Sequence, residues 1–302
     1  MSQDLTIGID LGGTQLRVAL VDAAGNVVRR IATRTDVPGG PASVIRQMLR
    51  LVNEVTEGCD ATVSSVGISS PGPMDSDVGR IIDIPSMPGF VDVPLRETLA
   101  RELALPVVME NDALSAAYGE WKHGAGQGLR HFVYITVSTG LGGGVVSDGR
   151  LVRGRRGMAG HIGHLMMDPR GPRCDCGGTG CLEALASGTA FSTAARAAGF
   201  ADGKAATDAA RSGNATALDL LAREAEFLGY GFASLLHLYS PERLIVGGGM
   251  SAALDLMLPT IRAQLDRFAM PAFRNIDVVR AALGDNAGLV GAAAMARETF
   301  AT

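Results

Sequence analysis

The sequence predicts an α/β protein, built as two lobes or as one large α/β unit. The chain has 302 residues, enough for two hydrophobic cores, because single cores usually stop growing near this size. Apolar residues make up 47%, aromatic residues only 5%, and there are 40 glycines, a balance typical of buried strands joined by tight turns. A pattern of strand, glycine-rich turn and strand occurs twice, which suggests a duplicated β-meander.

The first meander lies in residues 5–30, LTIGIDLGGTQLRVALVDAAGNVVRR. Three apolar stretches predict three strands, with a turn at Gly12-Gly13 and another at residues 24–26. Helical spacing of apolar residues then predicts a helix whose buried face is Val44, Met48, Leu51, Val52 and Val55. The elements expected next are a strand at 63–68, a helix at 94–103, a strand at 107–109 and a helix at 113–121.

The second meander lies in residues 131–152, HFVYITVSTGLGGGVVSDGRLV. Its STGLG segment at 138–142 corresponds to DLGGT at 10–14, which we interpret as an internal duplication, with chance similarity of hairpins as the alternative. Helices are expected over 184–238, a buried strand at 244–246 and a last helix at about 286–302. We predict a smaller lobe over residues 1–112, with the last helix packed on it, and a larger lobe over 113–285.

Charge and composition exclude several classes of protein. The net charge is −4 and the pI about 5.8, so there is no basic surface that would indicate nucleic acid or an anionic membrane as a partner. The start MSQDLTIGID lacks the basic and apolar regions of a signal peptide, and no apolar run approaches a spanning helix. We therefore expect a cytoplasmic protein. Thiols stay reduced there, so clustered cysteines indicate metal binding or catalysis.

The two glycine-rich turns are suited to nucleotide phosphates. Without Cβ atoms, backbone N–H groups can approach phosphate oxygens closely, and Thr14 and Thr139 add hydroxyl donors. Neither turn matches the Walker pattern G-x-x-x-x-G-K-[ST] or the pattern G-x-G-x-x-G before a helix, so tight hairpins remain the alternative. Asp10 ends a buried strand beside the first turn, where its charge requires a cation such as Mg²⁺. The glycines at 247–249 offer a flat surface for adenosine, or form a plain helix-capping turn.

Asn111 and Asp112 stand at a strand-to-helix junction. An Asp in that position is most often an N-cap. The alternative is a general base, kept ionised by the helix N-terminus, that accepts a proton from a hydroxyl attacking a γ-phosphate.

His164, Cys174, Cys176 and Cys181 lie within an 18-residue stretch that is rich in glycine. One imidazole and three thiolates suit tetrahedral Zn²⁺, and four protein ligands leave no open coordination position. The expected zinc is therefore structural, with unligated buried thiols as the alternative. His161 and Glu183 flank the cluster and would be held in place by it.

With these motifs in place, the chain resembles the ROK family (repressor, open reading frame, kinase), whose enzymes are sugar kinases. The resemblance covers essentially the whole chain and implies a two-lobed actin-like ATPase fold, of the ribonuclease H-like type. It also implies ATP and Mg²⁺ as cofactors besides the structural Zn²⁺, and a homodimer. The motifs that carry it are IGIDLGGTQLRVALVD, SSPGPMD, ENDA, TVSTGLGGGVV, GMAGHIGH, CDCGGTGCLEALASG and IVGGG.

The resemblance also assigns nucleotide contacts to three segments. The residues implied are Asp10, Gly12, Gly13 and Thr14 in the first phosphate loop, Thr139 and Gly140 in the second, and Gly247 and Gly248 against the adenosine.

For the sugar, the resemblance makes Asp112 the catalytic base and Asn111 a ligand. Gly72, in the SPGP loop, would lie against the sugar. His164 would both ligate zinc and contact the sugar, and Glu183 would bind sugar hydroxyls.

One position departs from the commonest family pattern, AGEIGH, whose Glu hydrogen-bonds sugar hydroxyls. Here the segment is AGHIGH, with His161. A histidine can donate a hydrogen bond to an acetamido carbonyl, whereas a carboxylate can only accept. This segment is similar to that of the family's N-acetylmannosamine kinases, while the SPGP loop and DIPSMPGF at 83–90 resemble its glucokinases. The predicted activity is transfer of phosphate from ATP to the 6-hydroxyl of N-acetylmannosamine, with glucose as the alternative acceptor.

Two classes of protein that do not phosphorylate sugars fit the sequence less well. Sugar-responsive repressors of the family carry a helix-turn-helix domain before the first strand, and only about five residues precede Thr6 here. An actin-like filament protein has no need of a zinc-ordered loop or of a base such as Asp112. Both are therefore disfavoured.

Overall fold

The computed structural model describes residues 4–301. Two five-stranded sheets form its framework, each the core of one compact unit. Unit 1 comprises the described residues up to Gln127, the segment Leu151–Ala159 and the described residues from Asp285 onward. Unit 2 comprises Gly128–Arg150 and Gly160–Gly284.

The sheet of unit 1 has the strand order β3-β2-β1-β4-β8. The first three strands are antiparallel, and β4 and β8 continue the sheet in parallel. The central strand is almost wholly buried. Its apolar side chains, Leu5, Ile7, Ile9 and Leu11, lie in the core on one face, and Thr6 and Gly8 on the other face are covered by the last helix. The strands are β1 (Asp4–Leu11), β2 (Gln15–Val21), β3 (Val27–Arg34), β4 (Thr62–Ser70) and β8 (Val107–Asn111).

Four helices complete unit 1. The first buries the five residues that its sequence period predicted. The last packs on β1, β4 and the third helix, where Gly8 and Gly67 allow its backbone to touch the sheet. A small sheet of β5 (Met74–Asp75), β6 (Arg80–Asp83) and β7 (Val91–Val93) was not predicted, because its strands are too short to show a period. The helices are α1 (Gly40–Thr56), α2 (Leu95–Leu103), α3 (Asp112–His123) and α9 (Ala287–Phe300).

Unit 2 repeats the strand order, as β11-β10-β9-β12-β13. Here too an antiparallel pair, β9 and β10, is followed by parallel strands, β12 and β13. The elements are β9 (Phe132–Val137), β10 (Leu141–Ser147), β11 (Arg150–Leu151), α4 (Leu182–Ala186), α5 (Gly188–Ala197), α6 (Gly203–Arg211), α7 (Ala215–Tyr239), β12 (Arg243–Gly247), α8 (Leu254–Phe268) and β13 (Asp277–Arg280). Helix α8 and strand β13 were missed by the sequence analysis.

The division of the chain differs from the lobes expected from sequence. The expected boundary is Asp112, but α3, which begins there, lies in unit 1 because it packs along α9. The segment Leu151–Ala159 also lies in unit 1, since its backbone and side chains bond to residues 75–77 and to Glu110. No helix within residues 4–301 has the length and apolar character needed to cross a membrane.

Candidate active site

Asn111 caps helix α3. Its side-chain oxygen accepts from the N–H of Ala113 at 3.0 Å and of Leu114 at 3.4 Å. The hypothesis that Asp112 is the N-cap is therefore wrong, and Asp112 is the first helical residue. Capping occupies the oxygen of Asn111 and leaves its amide nitrogen to donate to a ligand. A Cβ at Gly72 would lie 3.7 Å from that nitrogen, so the structure brings these two predicted sugar ligands together.

Asp112 is open to solvent, and its Oδ1 accepts from Ala113 N at 2.8 Å. The protein around its carboxylate displaces water and raises its pKa to about 6, and the charge of Asp10 acts in the same direction. The hydrogen bond from Ala113 at the helix N-terminus lowers the pKa of Asp112, but these two effects outweigh it. A carboxylate with this pKa is ionised at neutral pH and close to the range that suits a general base.

Asp10 already has a cationic partner. Its Oδ2 lies 2.8 Å from Arg17 Nη1, and its Oδ1 accepts from Ser69 Oγ at 3.0 Å. The argument that its buried charge demands Mg²⁺ therefore fails, because Arg17 balances that charge. The carboxylate of Asp10 nevertheless suits the ion, because its Oδ1 has only a hydroxyl, that of Ser69, as its bonded partner in the described residues. Carboxylates paired with phosphate oxygens are the usual ligands of Mg²⁺.

The two glycine-rich turns lie at the ends of equivalent strands. In unit 1, Gly12 N donates to Gln15 O at 2.9 Å, and Gly13 and Thr14 are exposed. In unit 2, Ser138 N donates to Gly140 O at 2.9 Å, and Thr139 is exposed. Both turns present backbone and hydroxyl groups to solvent, as phosphate binding requires.

Gly247 and Gly248 have structural reasons for being glycine. The Tyr134 ring lies where a side chain at Gly247 would be, and Gly247 is buried. Gly248 has φ +76°, a left-handed conformation, and packs on the backbone of Val137. Their predicted contact with adenosine stays a prediction.

The four predicted zinc ligands converge in unit 2. One ligand atom from each of His164, Cys174, Cys176 and Cys181 lies within 4.8 Å of the others. Cys176 Sγ and Cys181 Sγ are 3.6 Å apart, and Cys174 Sγ is 3.7 Å from His164 Nδ1. Zn–S bonds of about 2.3 Å at tetrahedral angles place sulfurs about 3.8 Å apart, so this donor set fits Zn²⁺. With Nδ1 directed to the cluster, Nε2 of His164 is left for another ligand.

Glu183 links this cluster to the second turn. Its Oε2 accepts from Leu141 N at 2.7 Å, and its Oε1 lies 3.9 Å from both His164 Nδ1 and Cys174 Sγ. A Cβ at Gly140 would approach Oε2 to 2.6 Å, so only glycine leaves room for the carboxylate. No local pattern predicts this hydrogen bond, because Leu141 and Glu183 are 42 residues apart in the chain.

His161 lies beside His164, with ring centroids 6.1 Å apart and planes inclined by 24°. The His161 side chain is solvent-accessible. Surrounding protein, and secondarily His164, lower its pKa. A neutral imidazole can donate one hydrogen bond and accept one.

The predicted site residues divide between the two units. Unit 1 holds Asp10, Gly12, Gly13, Thr14, Gly72, Asn111 and Asp112, and unit 2 holds Thr139, Gly140, His161, His164, Cys174, Cys176, Cys181, Glu183, Gly247 and Gly248.

Sequence reasoning missed three polar partners in unit 1. Arg17 and Ser69 bond Asp10, and Glu110 bonds the backbone N–H of Asn111. Glu110 could have been suspected from the sequence, because it directly precedes Asn111 and Asp112.

Comparison with known proteins gives matches along the whole chain. The model of the ROK family matches residues 6–299. Glucokinase of Thermotoga maritima is 38% identical over 309 residues, with 97% of each chain covered. N-acetylmannosamine kinase of Salmonella typhimurium is 36% identical over 295 residues, covering 97% of this chain and 98% of the relative. The crystal structure of a ROK family glucokinase from Streptomyces griseus, in complex with glucose and AMPPNP, aligns with a TM-score of 0.86 at 36% identity, covering 97% and 99% of the two chains.

Proposed function

The chain belongs to the ROK family and is a sugar kinase of that family, and from this premise we propose that it transfers the γ-phosphoryl group of ATP to the 6-hydroxyl of N-acetylmannosamine. The observation that carries the choice of acceptor is His161, an imidazole beside His164. The acceptor class thus depends on one side chain that variants can test.

Asp112 is the proposed general base. It accepts the proton of the sugar hydroxyl while the hydroxyl oxygen bonds to the γ-phosphorus and the bond to the ADP oxygen breaks. Its pKa of about 6 keeps it ionised at neutral pH and still basic enough to take a proton. Asn111 orients the sugar through the amide nitrogen that capping leaves free.

The exposed turn residues Gly13, Thr14 and Thr139 are the proposed phosphate contacts. Asp10 is the residue that would hold Mg²⁺, whose charge would offset the negative charge on the phosphoryl group. A bound Zn²⁺ would fix the loop from His164 to Cys181 and do no chemistry itself, since its four positions are filled by protein ligands. The loop in turn would fix Glu183 and the ring of His164, the proposed sugar ligands of unit 2.

The acceptor follows from hydrogen-bonding chemistry at His161. An N–H of the imidazole can donate to the carbonyl oxygen of a 2-acetamido group, and a glutamate in its place could not. A donor that the bound sugar covers and leaves without an acceptor costs binding energy, so glucose, which lacks that carbonyl, should be the poorer substrate. Glucose remains the second candidate, because the glucokinase relatives are as similar to this chain as the N-acetylmannosamine kinase relatives.

The test is ADP release with MgATP across N-acetylmannosamine, glucose, N-acetylglucosamine, mannose, fructose and allose, for the wild type and His161→Glu. We expect the wild type to prefer N-acetylmannosamine, and His161→Glu to lower kcat/KM for that sugar while raising it for glucose. If the wild type preferred glucose, the proposed acceptor N-acetylmannosamine would be wrong and glucose would take its place. No turnover with any sugar would favour a non-catalytic regulator.

We also propose that the protein is a homodimer joined through an apolar surface of unit 2. Met166, Phe268 and Met270 are 58%, 46% and 54% exposed. Met166, Tyr230, His237 and Phe268 line a cavity of about 440 Å³ there. Exposed apolar groups gathered on one surface are typical of protein interfaces.

Light scattering tests the dimer. It should give a dimer for the wild type and for Phe300→Asp, a matched change in unit 1, and a monomer for Phe268→Asp. A monomeric wild type would contradict the proposal.

A further inference from the structure

Glu110 is a buried carboxylate directly before the catalytic pair Asn111 and Asp112. Its side chain is 4% exposed, and the structure gives it three donors. Oε1 accepts from the Ser76 hydroxyl and from Asn111 N, the latter at 3.0 Å, and Oε2 accepts from Arg153 Nε at 2.7 Å. Buried carboxylates persist only where such partners replace water.

The bond to Asn111 N fixes the backbone at a critical place. It holds the peptide between residues 110 and 111, where strand β8 ends and helix α3 begins. The orientation of this peptide sets where the side chains of Asn111 and Asp112 point.

The other partner of Glu110, Arg153, comes from the segment Leu151–Ala159, which returns to unit 1. Arg156 O accepts from Ser76 N at 2.9 Å, and Arg156 Nε lies 3.4 Å from Asp75 Oδ2. A Cβ at Gly157 would lie 2.9 Å from Glu110 Oε1, so the segment packs directly on the carboxylate. Along the chain this segment leads into Gly160 and His161.

We propose that Glu110, clamped by Arg153 and Ser76, is a positioning residue for the sugar-binding and base residues Asn111 and Asp112. The inference rests on the proposed function of those two residues and adds the groups that hold them. Arg153 neutralises the buried charge of Glu110 and thereby keeps its other oxygen on Asn111 N. The same clamp anchors the segment that precedes His161.

Kinetics of Glu110→Gln, Arg153→Met and the double variant test the clamp. Gln keeps the size of the side chain but places N–H groups against the donors, and Met keeps the length of Arg153 without a donor. Each single change should lower kcat/KM for the sugar about 10- to 100-fold, as small misplacements of reacting groups do. The KM for ATP should stay within twofold. Because Arg153 acts through Glu110, the double variant should be no worse than the poorer single variant.

Two further variants separate positioning from loss of stability. Arg156→Met removes an exposed arginine from the same segment and should change kcat/KM less than twofold. Arg153→Lys restores the charge and should recover part of the lost activity. Equal losses for Arg153→Met and Arg156→Met, or additive losses in the double variant, would overturn the proposal. So would an increase in the KM for ATP as large as that for the sugar.

Hydrogen exchange tests the clamp without any substrate. Glu110→Gln should speed amide exchange in residues 109–114 and 151–159 and leave α7 unchanged. Unchanged exchange at 109–114 would disprove the clamp whatever the activity. The kinetic ratios are taken with the best sugar of the wild type, so a different preferred sugar would correct the proposed substrate and leave the clamp standing.

Discussion

The two five-stranded sheets have the same strand order but differ in the chemistry they carry. In each, a glycine-rich turn follows the first strand of the meander. The turn of unit 1 lies near the carboxylates Asp10 and Asp112, whereas the turn of unit 2 is bonded to Glu183 and through it to a Cys₃His cluster. The repeated backbone provides a place for phosphate twice. Residues from outside the meanders decide what else each unit can do.

Of the substitutions that compare the two units, the one at Asp112 in unit 1 should have the largest effect on activity. Asp112→Asn removes the proposed base of unit 1 while keeping its size, so kcat should fall about 10²- to 10⁴-fold. Sugar binding, measured by calorimetry, should stay nearly intact, and normal turnover would rule out this role.

The pH profile provides an independent test of Asp112. The base must be ionised, and its pKa is about 6. We therefore expect kcat/KM of the wild type to be constant above pH 7 and to fall about tenfold per unit below about pH 6. If kcat/KM did not fall below about pH 6, a residue other than Asp112 would have to be the base.

The next largest effect should come from the Cys₃His cluster of unit 2, the proposed zinc site. Cys176→Ser should reduce bound zinc, measured by atomic emission, from one ion per chain to none. The KM for the sugar should rise about tenfold or more, because the loop holding His164 and Glu183 loses its constraint. Cys59→Ser, in unit 1, is the matched control and should keep both zinc and sugar affinity. Unchanged sugar affinity in zinc-free protein would contradict the ordering role.

Unit 2 also holds a carboxyl that contrasts with Asp112. Glu224 is buried in α7, its Oε1 lacks a partner among the described residues, and burial raises its pKa to about 8. The native state therefore binds one proton more than the unfolded state between about pH 4.5 and 8. The stabilisation that comes from protonated Glu224 is fully present below about pH 4.5, and it is lost as the pH rises toward 8.

The expected slope from Glu224 is about 1.4 kcal/mol per pH unit. Urea unfolding of the wild type and Glu224→Gln from pH 5 to 8 measures it, with Glu226→Gln on the exposed side of α7 as control. The free energy of unfolding should fall less steeply with pH in Glu224→Gln alone. Parallel curves would show that Glu224 keeps an ordinary pKa.

The smallest expected effect is on stability, and it comes from placing alanine in each of the two glycine-rich turns. Gly140→Ala would push on Glu183 and should destabilise the protein by about 1 to 2 kcal/mol, because Leu141 N loses its acceptor. Gly13→Ala meets no atom closer than 3.6 Å and should change stability by less than about 0.5 kcal/mol. Thermal unfolding measures both, and equal effects would refute the packing difference.

Much of this architecture could be predicted from the sequence. The meanders and α1 have clear apolar periods, and the actin-like ATPase type of fold and the family were correctly inferred from their motifs. The convergence of the four soft ligands also followed, because three of them are so close in sequence.

The features that the sequence did not predict are mostly contacts between residues that are far apart in the chain. Arg17 as the partner of Asp10 could have been suspected, because alternate residues of paired strands share a face, yet the register was needed to place it. Glu183 on Leu141 and Arg153 on Glu110 join segments about 40 residues apart, which no period reveals. The cap was assigned to Asp112 instead of Asn111 because element boundaries are uncertain by a residue or two.

The position of α9 in the chain affects how the protein is made on the ribosome. Unit 1 needs this helix to cover β1, β2 and β4. Its Leu289 and Ala293 form a buried apolar cluster with Ala19 and Val21 of β2. Those strands are synthesised first and α9 last, after all of unit 2. At 5 to 20 residues per second, the roughly 220 residues between β4 and α9 take about 10 to 40 s to translate. For that time an apolar face of the nascent chain lacks its native cover and is open to chaperones and proteases.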